Sequence, residues 1–138
     1  MDARKYLEEL DLERKRLKFK RETIEQQKAV YVSSGKLDAD TGMVQKQRNV
    51  HALEDEIHNI LERQAAFDLE YEAFLRRYNE ALSLVSDIHP VESARVLKLR
   101  YFDHYSWEEI GQSLNYSKSQ LYRLHRLGLM DLDIRLSS

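Results

Sequence analysis

The sequence predicts an all-α protein: a long N-terminal antiparallel helical hairpin, coiled-coil-like, followed by a C-terminal helix-turn-helix domain. Three observations predict it. The 138 residues hold only four glycines and one proline against 33% charged residues, so helix breakers are scarce. Apolar residues recur at intervals of seven through much of the first 88 residues, the period of helices packed side by side. Near the C-terminus Ser106 and Ser117 each stand one residue ahead of a helical pattern, with Asn115 at the corner between them. The length suits one ordinary domain or two small helical ones. The division expected is 1–89 for the hairpin and 90–138 for the helix-turn-helix.

The first helix is expected over about residues 2–32. That stretch has no Gly or Pro and is rich in Leu, Glu, Lys, Arg and Gln. Leu10, Leu17, Ile24 and Tyr31 form one apolar row, which Ala3 extends backwards and Leu7 widens. Glu13, Lys20 and Gln27 occupy the second row, so this helix has no two-row seam of its own. Ser33, Ser34 and Gly35 stop it, and the run to Gly42 is polar and turn-like.

The second helix is expected over about 43–87. Here both rows are present. Val50, Ile57, Gln64, Tyr71, Tyr78 and Val85 make one, and Leu53, Ile60, Phe67, Phe74, Ala81 and Ile88 the other. Gln64 is the single polar member, the kind of residue that sets register or oligomer state. Leu61, Leu75 and Leu82 broaden the apolar face. A helix this amphipathic has to cover its apolar side, and the short connection makes folding back onto the first helix the simplest solution. Charge agrees: residues 14–21 are densely basic, while Glu54, Asp55, Glu56, Asp68, Glu70 and Glu72 lie on the second helix. Such exposed pairs are worth under about 1 kcal/mol each and bias the pairing without driving it. The first helix also carries seven acids. The basic run is therefore expected to be a salt-bridged face rather than a phosphate-contacting or polymerase-contacting patch. The apolar face of the second helix exceeds what one row can cover, which predicts a homodimer through these helices or docking of the C-terminal domain.

Pro90 ends the long helix, because the residue before a proline is pushed out of the α region, and it suits the first turn of the next. A third helix is expected from Val91 to Phe102, with Ala94, Leu97 and Tyr101 inward and Val96, Leu99 and Phe102 widening that face. Ser106 and Glu109 have the spacing of a capping box for a fourth helix, Trp107–Leu114. Trp107, Ile110 and Leu114 point inward, and Gly111 lies where the following helix passes close. Asn115 suits the left-handed corner, Tyr116 plugs the core and Ser117 caps the last helix. Its inward positions are Leu121, Leu124, Leu127 or Gly128, and Leu132.

The outward set of that last helix carries the chemistry. Lys118, Ser119, Gln120, Tyr122, Arg123 and Arg126 face away from the core, and no Asp or Glu occurs between residues 110 and 130. A helix N-terminus directs its amides and positive dipole end at phosphate. Ser, Gln and Arg hydrogen-bond base edges in the major groove, and two such residues in the first turn with an Arg one turn later is a recognition-helix pattern. Double-stranded DNA is therefore the expected partner. The net charge of −2 is indifferent to this, because the acids are concentrated in 35–89, eleven against six basic residues.

From Pro90 to Leu132 the chain resembles the DNA-binding fourth region of bacterial sigma factors. The residues that carry the resemblance are Leu97, Leu99, Arg100, Tyr101 and Phe102 at the end of one helix. The stretch Ser106–Gly111 (SWEEIG) opens the next. Ser117 followed by Leu121–Arg126 (LYRLHR) lies in the recognition helix. The resemblance implies that Lys118, Ser119, Gln120, Tyr122 and Arg123 face promoter DNA and that the module touches RNA polymerase. Ahead of the module there is no sign of the sigma region that binds and melts the upstream half of the core promoter. The helical hairpin in its place, in so short a chain, is similar to phage-encoded late transcription regulators of Gram-positive hosts, the ArpU/RinA-like group.

Other chemistry is not expected. With no cysteine there is neither a disulfide framework nor a Cys-type zinc site. Of the five histidines, His51, His58, His89, His104 and His125, only His51 and His58 share a face, and nothing completes a ligand set. No phosphate loop or nucleophile elbow occurs, so neither an enzyme nor a cofactor is expected. The charged N-terminus is not a signal peptide, and no run reaches the ~20 apolar residues of a membrane span. A cytoplasmic protein of the bacterial host cell is expected. Two other functions fit the same elements. One is a small-terminase-like DNA-packaging subunit, although there the DNA-binding domain usually precedes the coiled coil. The other is a helical protein-interaction module without DNA binding.

Overall fold

The computed structural model describes residues 2–34 and 43–138, with side chains over 2–31 and 50–138. The turn expected over 33–42 lies, from residue 35 onward, outside the described residues. These form five helices and no strand: α1 (Ala3–Ser34), α2 (Met43–Ser86), α3 (Val91–Tyr101), α4 (Trp107–Leu114) and α5 (Lys118–Leu136). The expected all-α class and all five helices are present; the first four have bounds within two residues of those expected, while the recognition helix, expected over 118–132, runs on to Leu136.

The chain divides into two compact units, one made of residues 15–73 and the other of 1–14 with 74–138. These units do not coincide with a division at 89/90. The outer ends of both long helices belong to the unit that contains α3, α4 and α5.

In the unit 15–73, α1 and α2 run antiparallel, as their pairs show. Glu70 receives Arg16 at 3.2 Å and Lys20 at 3.0 Å, and Lys28 donates to Gln64 at 2.9 Å. Leu17 and Ile24 from α1 bury against Ile60 and Phe67 from α2. Those last two belong to one heptad row. Val50 and Ile57, from the other row, stay exposed beside Leu61. The apolar row on α1 covers that one row; the other row meets α1 through Lys28 at Gln64 and Arg21 at Tyr71, and is open at Val50 and Ile57.

In the unit 1–14 with 74–138, Ala3, Leu7 and Leu10 bury together with Phe74, Ala81, Val85 and Ile88. Tyr78 meets Phe102 edge-on at 5.2 Å, so the end of α2 packs on the C-terminal helices. There the expected docking of the C-terminal module is found. Val96, Ile110, Leu121 and Leu124 form the core of α3–α5, with Leu99, Trp107, Leu114 and Tyr116 packed against it. Tyr101, expected inward, is half-buried. Pro90 is not in the first turn of α3 but one residue before it, as N-cap with φ −71°, and the His89–Pro90 peptide is cis.

Gly128 takes the inward position that the sequence left between Leu127 and Gly128. A Cβ there would lie 3.1 Å from Leu97 Cδ1 and 3.2 Å from Ser93 Cβ, so the glycine lets α5 approach α3 closely. The C-terminal half of α5 is also tied by polar contacts. Asp131 accepts from the His89 backbone N–H at 2.9 Å, and Asp133 accepts from the Ala3 N–H at 2.5 Å. These contacts hold α5 at its C-terminal half and leave its N-terminal half out of them.

Candidate nucleic-acid interface

The corner between α4 and α5 is built by local chemistry. Ser106 accepts from the Glu109 N–H at 3.1 Å, while the Glu109 side chain accepts from the Ser106 N–H at 3.3 Å. This is the expected capping box. Asn115 sits in the left-handed region at φ 59°, ψ 46°, which Asn tolerates better than most residues because its short polar side chain bonds locally. A Cβ on Gly111 would meet Leu121 Cδ1 and the Tyr116 carbonyl oxygen at 3.3 Å each. The expected tight passage is real, and it is set by one side chain and the corner backbone.

A second capping box starts α5. Ser117 Oγ accepts from the Gln120 N–H at 3.3 Å, and Gln120 Oε1 accepts from the Ser117 N–H at 3.2 Å. Sequence reasoning identified Ser117 as the cap and Gln120 as a base-reading residue, and missed that the two are linked. The signal was available, since Ser117 and Gln120 repeat the spacing of Ser106 and Glu109.

All six candidate residues, Lys118, Ser119, Gln120, Tyr122, Arg123 and Arg126, are exposed. They lie on the side of α5 opposite the buried Leu121, Leu124, His125, Gly128 and Leu132. The first turn of α5 has no acidic residue. Among the described residues Lys118, Arg123 and Arg126 have no ion-pair partner. Tyr122 leans on Trp107, ring centroids 5.5 Å apart, and with Lys118 it borders a cleft of about 330 Å³ between α4 and α5, whose α4 wall includes Glu108 and Gln112. The N-terminal half of α5 therefore offers a positive, acid-free surface ending in unpaired amides. It can neutralise phosphates and donate hydrogen bonds.

Beneath this surface lies a group whose role the sequence did not reveal. His125 is buried, and its Nε2 is hydrogen bonded to the Tyr101 hydroxyl at 2.9 Å. Its ring stacks on Tyr101 at 5.8 Å and meets Trp107 edge-on at 4.8 Å. The Arg100 guanidinium covers Trp107 at 4.8 Å. Burial first, then the positive charges of Arg4 and Arg100, push the His125 pKa down to about 4. The imidazole is neutral at pH 7 and packs as an aromatic ring between Tyr101 and Trp107, and Trp107 in turn carries Tyr122. The position of His125 between the inward Leu121 and Gly128, one turn from each, was the available signal.

Among the described residues no group of three His, Cys, Asp or Glu could hold a metal ion, and no helix is long and apolar enough to cross a membrane. Compared with known proteins, the chain matches the family model for ECF sigma factors over residues 38–130, more than half its length. The match takes in all of α2, α3 and α4 and most of α5, reaching N-terminally well beyond the stretch that resembles the fourth sigma region. No curated protein and no solved structure shows a match.

Proposed function

The chain belongs to the ECF sigma factor family, and from that premise we propose that it is a phage-type transcription regulator, of the ArpU/RinA-like group, that binds double-stranded promoter DNA through α5 and contacts RNA polymerase. Residues 90–138 carry the DNA-binding domain and 1–89 the helical hairpin. Lys118, Arg123 and Arg126 neutralise phosphates. Ser119, Gln120 and Arg123 meet base edges, and Tyr122 packs against the backbone beside Trp107.

One observation carries this reading: three exposed cations without acidic partners, in the half of α5 that starts at a capped N-terminus. Family membership supports a DNA-binding, transcription-related role for the module. The test is titration of promoter duplex at several salt concentrations with the wild-type chain and with Lys118→Ala/Arg123→Ala. The double variant is expected to bind on the order of 100-fold more weakly, with a salt slope shallower by about two. Equal affinity overturns the reading.

The hairpin is proposed to form a homodimer. Val50 and Ile57 are members of a heptad row, yet they are 49% and 42% exposed, and a sustained seven-residue repeat is the pattern of a helix with a helical neighbour. Sedimentation equilibrium of the wild-type chain should give twice the monomer mass, and Ile57→Glu/Leu61→Glu should return it to one.

A further inference from the structure

Resting on that reading of α5, we infer that Gln120 reads its base as a hydrogen-bond donor only, so that it selects guanine or thymine at one position and rejects cytosine and the usual two-bond contact to adenine. The inference starts from the Ser117–Gln120 box. A backbone N–H can only be met by an acceptor, so the Gln120 amide must turn Oε1, not Nε2, toward the Ser117 N–H. The Ser117 hydroxyl lies on the same oxygen at 3.5 Å. Both hydrogen bonds to Oε1 thus come from Ser117, the backbone one at 3.2 Å and the hydroxyl one at 3.5 Å. The Nε2 end is left on the exposed side of the first turn, with two N–H donors.

A glutamine that reads adenine uses both ends of its amide, accepting from N6 and donating to N7. Here the accepting end is held by the cap. Two donors fit guanine, which shows N7 and O6 in the major groove, or the single O4 of thymine. Cytosine presents an N4 donor and would face a donor. The cap therefore serves two purposes. It satisfies the start of α5, and it fixes the polarity with which one side chain meets DNA. Lys118 and Arg123 supply attraction that does not depend on this polarity, since neither takes part in the box.

The experiment is selection of bound duplexes from a random pool, with the wild-type chain and with Gln120→Glu. A capping box accepts Glu as readily as Gln, so the variant keeps the cap and replaces two donors by an anionic acceptor. Helicity and melting temperature are expected to hold. Guanine or thymine should be enriched at one position by the wild type and replaced there by cytosine in the variant. Affinity for the parent site should fall about tenfold, the scale of one lost base contact. Preferences at all other positions should stay. Three results overturn the inference: the same base preferred by both proteins at every position, adenine selected at the position that responds to residue 120, or a melting temperature that drops with Gln120→Glu. None of these touches the proposed DNA binding, which stands or falls on the Lys118→Ala/Arg123→Ala titration. A wild-type chain that binds duplex but enriches no sequence overturns the inference alone, and one that binds no duplex overturns both.

Discussion

Two stretches of this chain are basic, and the structure treats them oppositely. Residues 14–21 of α1 look the stronger candidate for nucleic acid by charge density alone. Yet Arg14 pairs with Asp11 at 3.1 Å, Arg16 and Lys20 with Glu70, and Arg21 lies over the Phe67 and Tyr71 rings at 5.3 and 4.5 Å. The N-terminal half of α5 has fewer cations, and Lys118, Arg123 and Arg126 pair with nothing among the described residues. A charge already satisfied inside the protein has little left to offer phosphate, because its new contact must replace an old one. The difference teaches that a basic run is a weaker sign of a binding surface than a few cations kept away from acids.

The comparison breaks most visibly in DNA binding. Alanine at Lys118 and Arg123 should remove most of the affinity, while Arg16→Ala/Lys20→Ala should leave it unchanged in the same titration. A loss of similar size at both sites would mean that the α1 run also meets DNA.

A smaller effect separates the α5 surface from what supports it. His125 holds its pKa near 4 against an ordinary 6.5, so between those values the unfolded chain binds the extra proton. Stability is therefore full above pH 6.5 and declines as the pH falls toward 4, by at most about 1.4 kcal/mol per pH unit from this group. Urea unfolding from pH 7 to 4 should show that decline, and His125→Phe should flatten it. The variant should be less stable at pH 7, having lost the Tyr101 bond, but should still bind DNA when folded. An unchanged pH profile would remove His125 from this role.

The smallest effect is expected on the α1 side. The hydrogen bond from Lys20, with Arg16 beside it, holds the Glu70 carboxyl below its ordinary 4.5. Its contribution is present above pH 4.5 and is lost as the pH falls through the lower folded value. Glu70→Gln should lower the melting temperature slightly at pH 7, and the difference should vanish in acid and in molar salt. A difference that persists in acid would assign Glu70 a packing role instead.

Much of the architecture was legible because it is local. Helix bounds follow from the scarcity of Gly and Pro, and both caps of the corner from Ser at the right spacing. The exposed set on α5 follows from a period of 3.6 residues, which places Leu121, Leu124 and Leu132 on one side. The compact units were not legible. Periodicity says that a helix has an apolar face and is silent on which part of it meets which neighbour. The end of α2 thus joined α3–α5, while Val50 and Ile57 stayed open.

By itself, then, the sequence determined the five helices, the cap at Ser117 and the acid-free run that follows it, because each depends on residues within a turn or two of one another. Only tertiary structure decided which basic stretch is satisfied and which is left open. Glu70 lies 50 residues from Lys20, and no local pattern reports such a pairing. It also decided that His125 stays neutral beneath the α5 surface, since burial and the charges of Arg4 and Arg100 are properties of the packed chain.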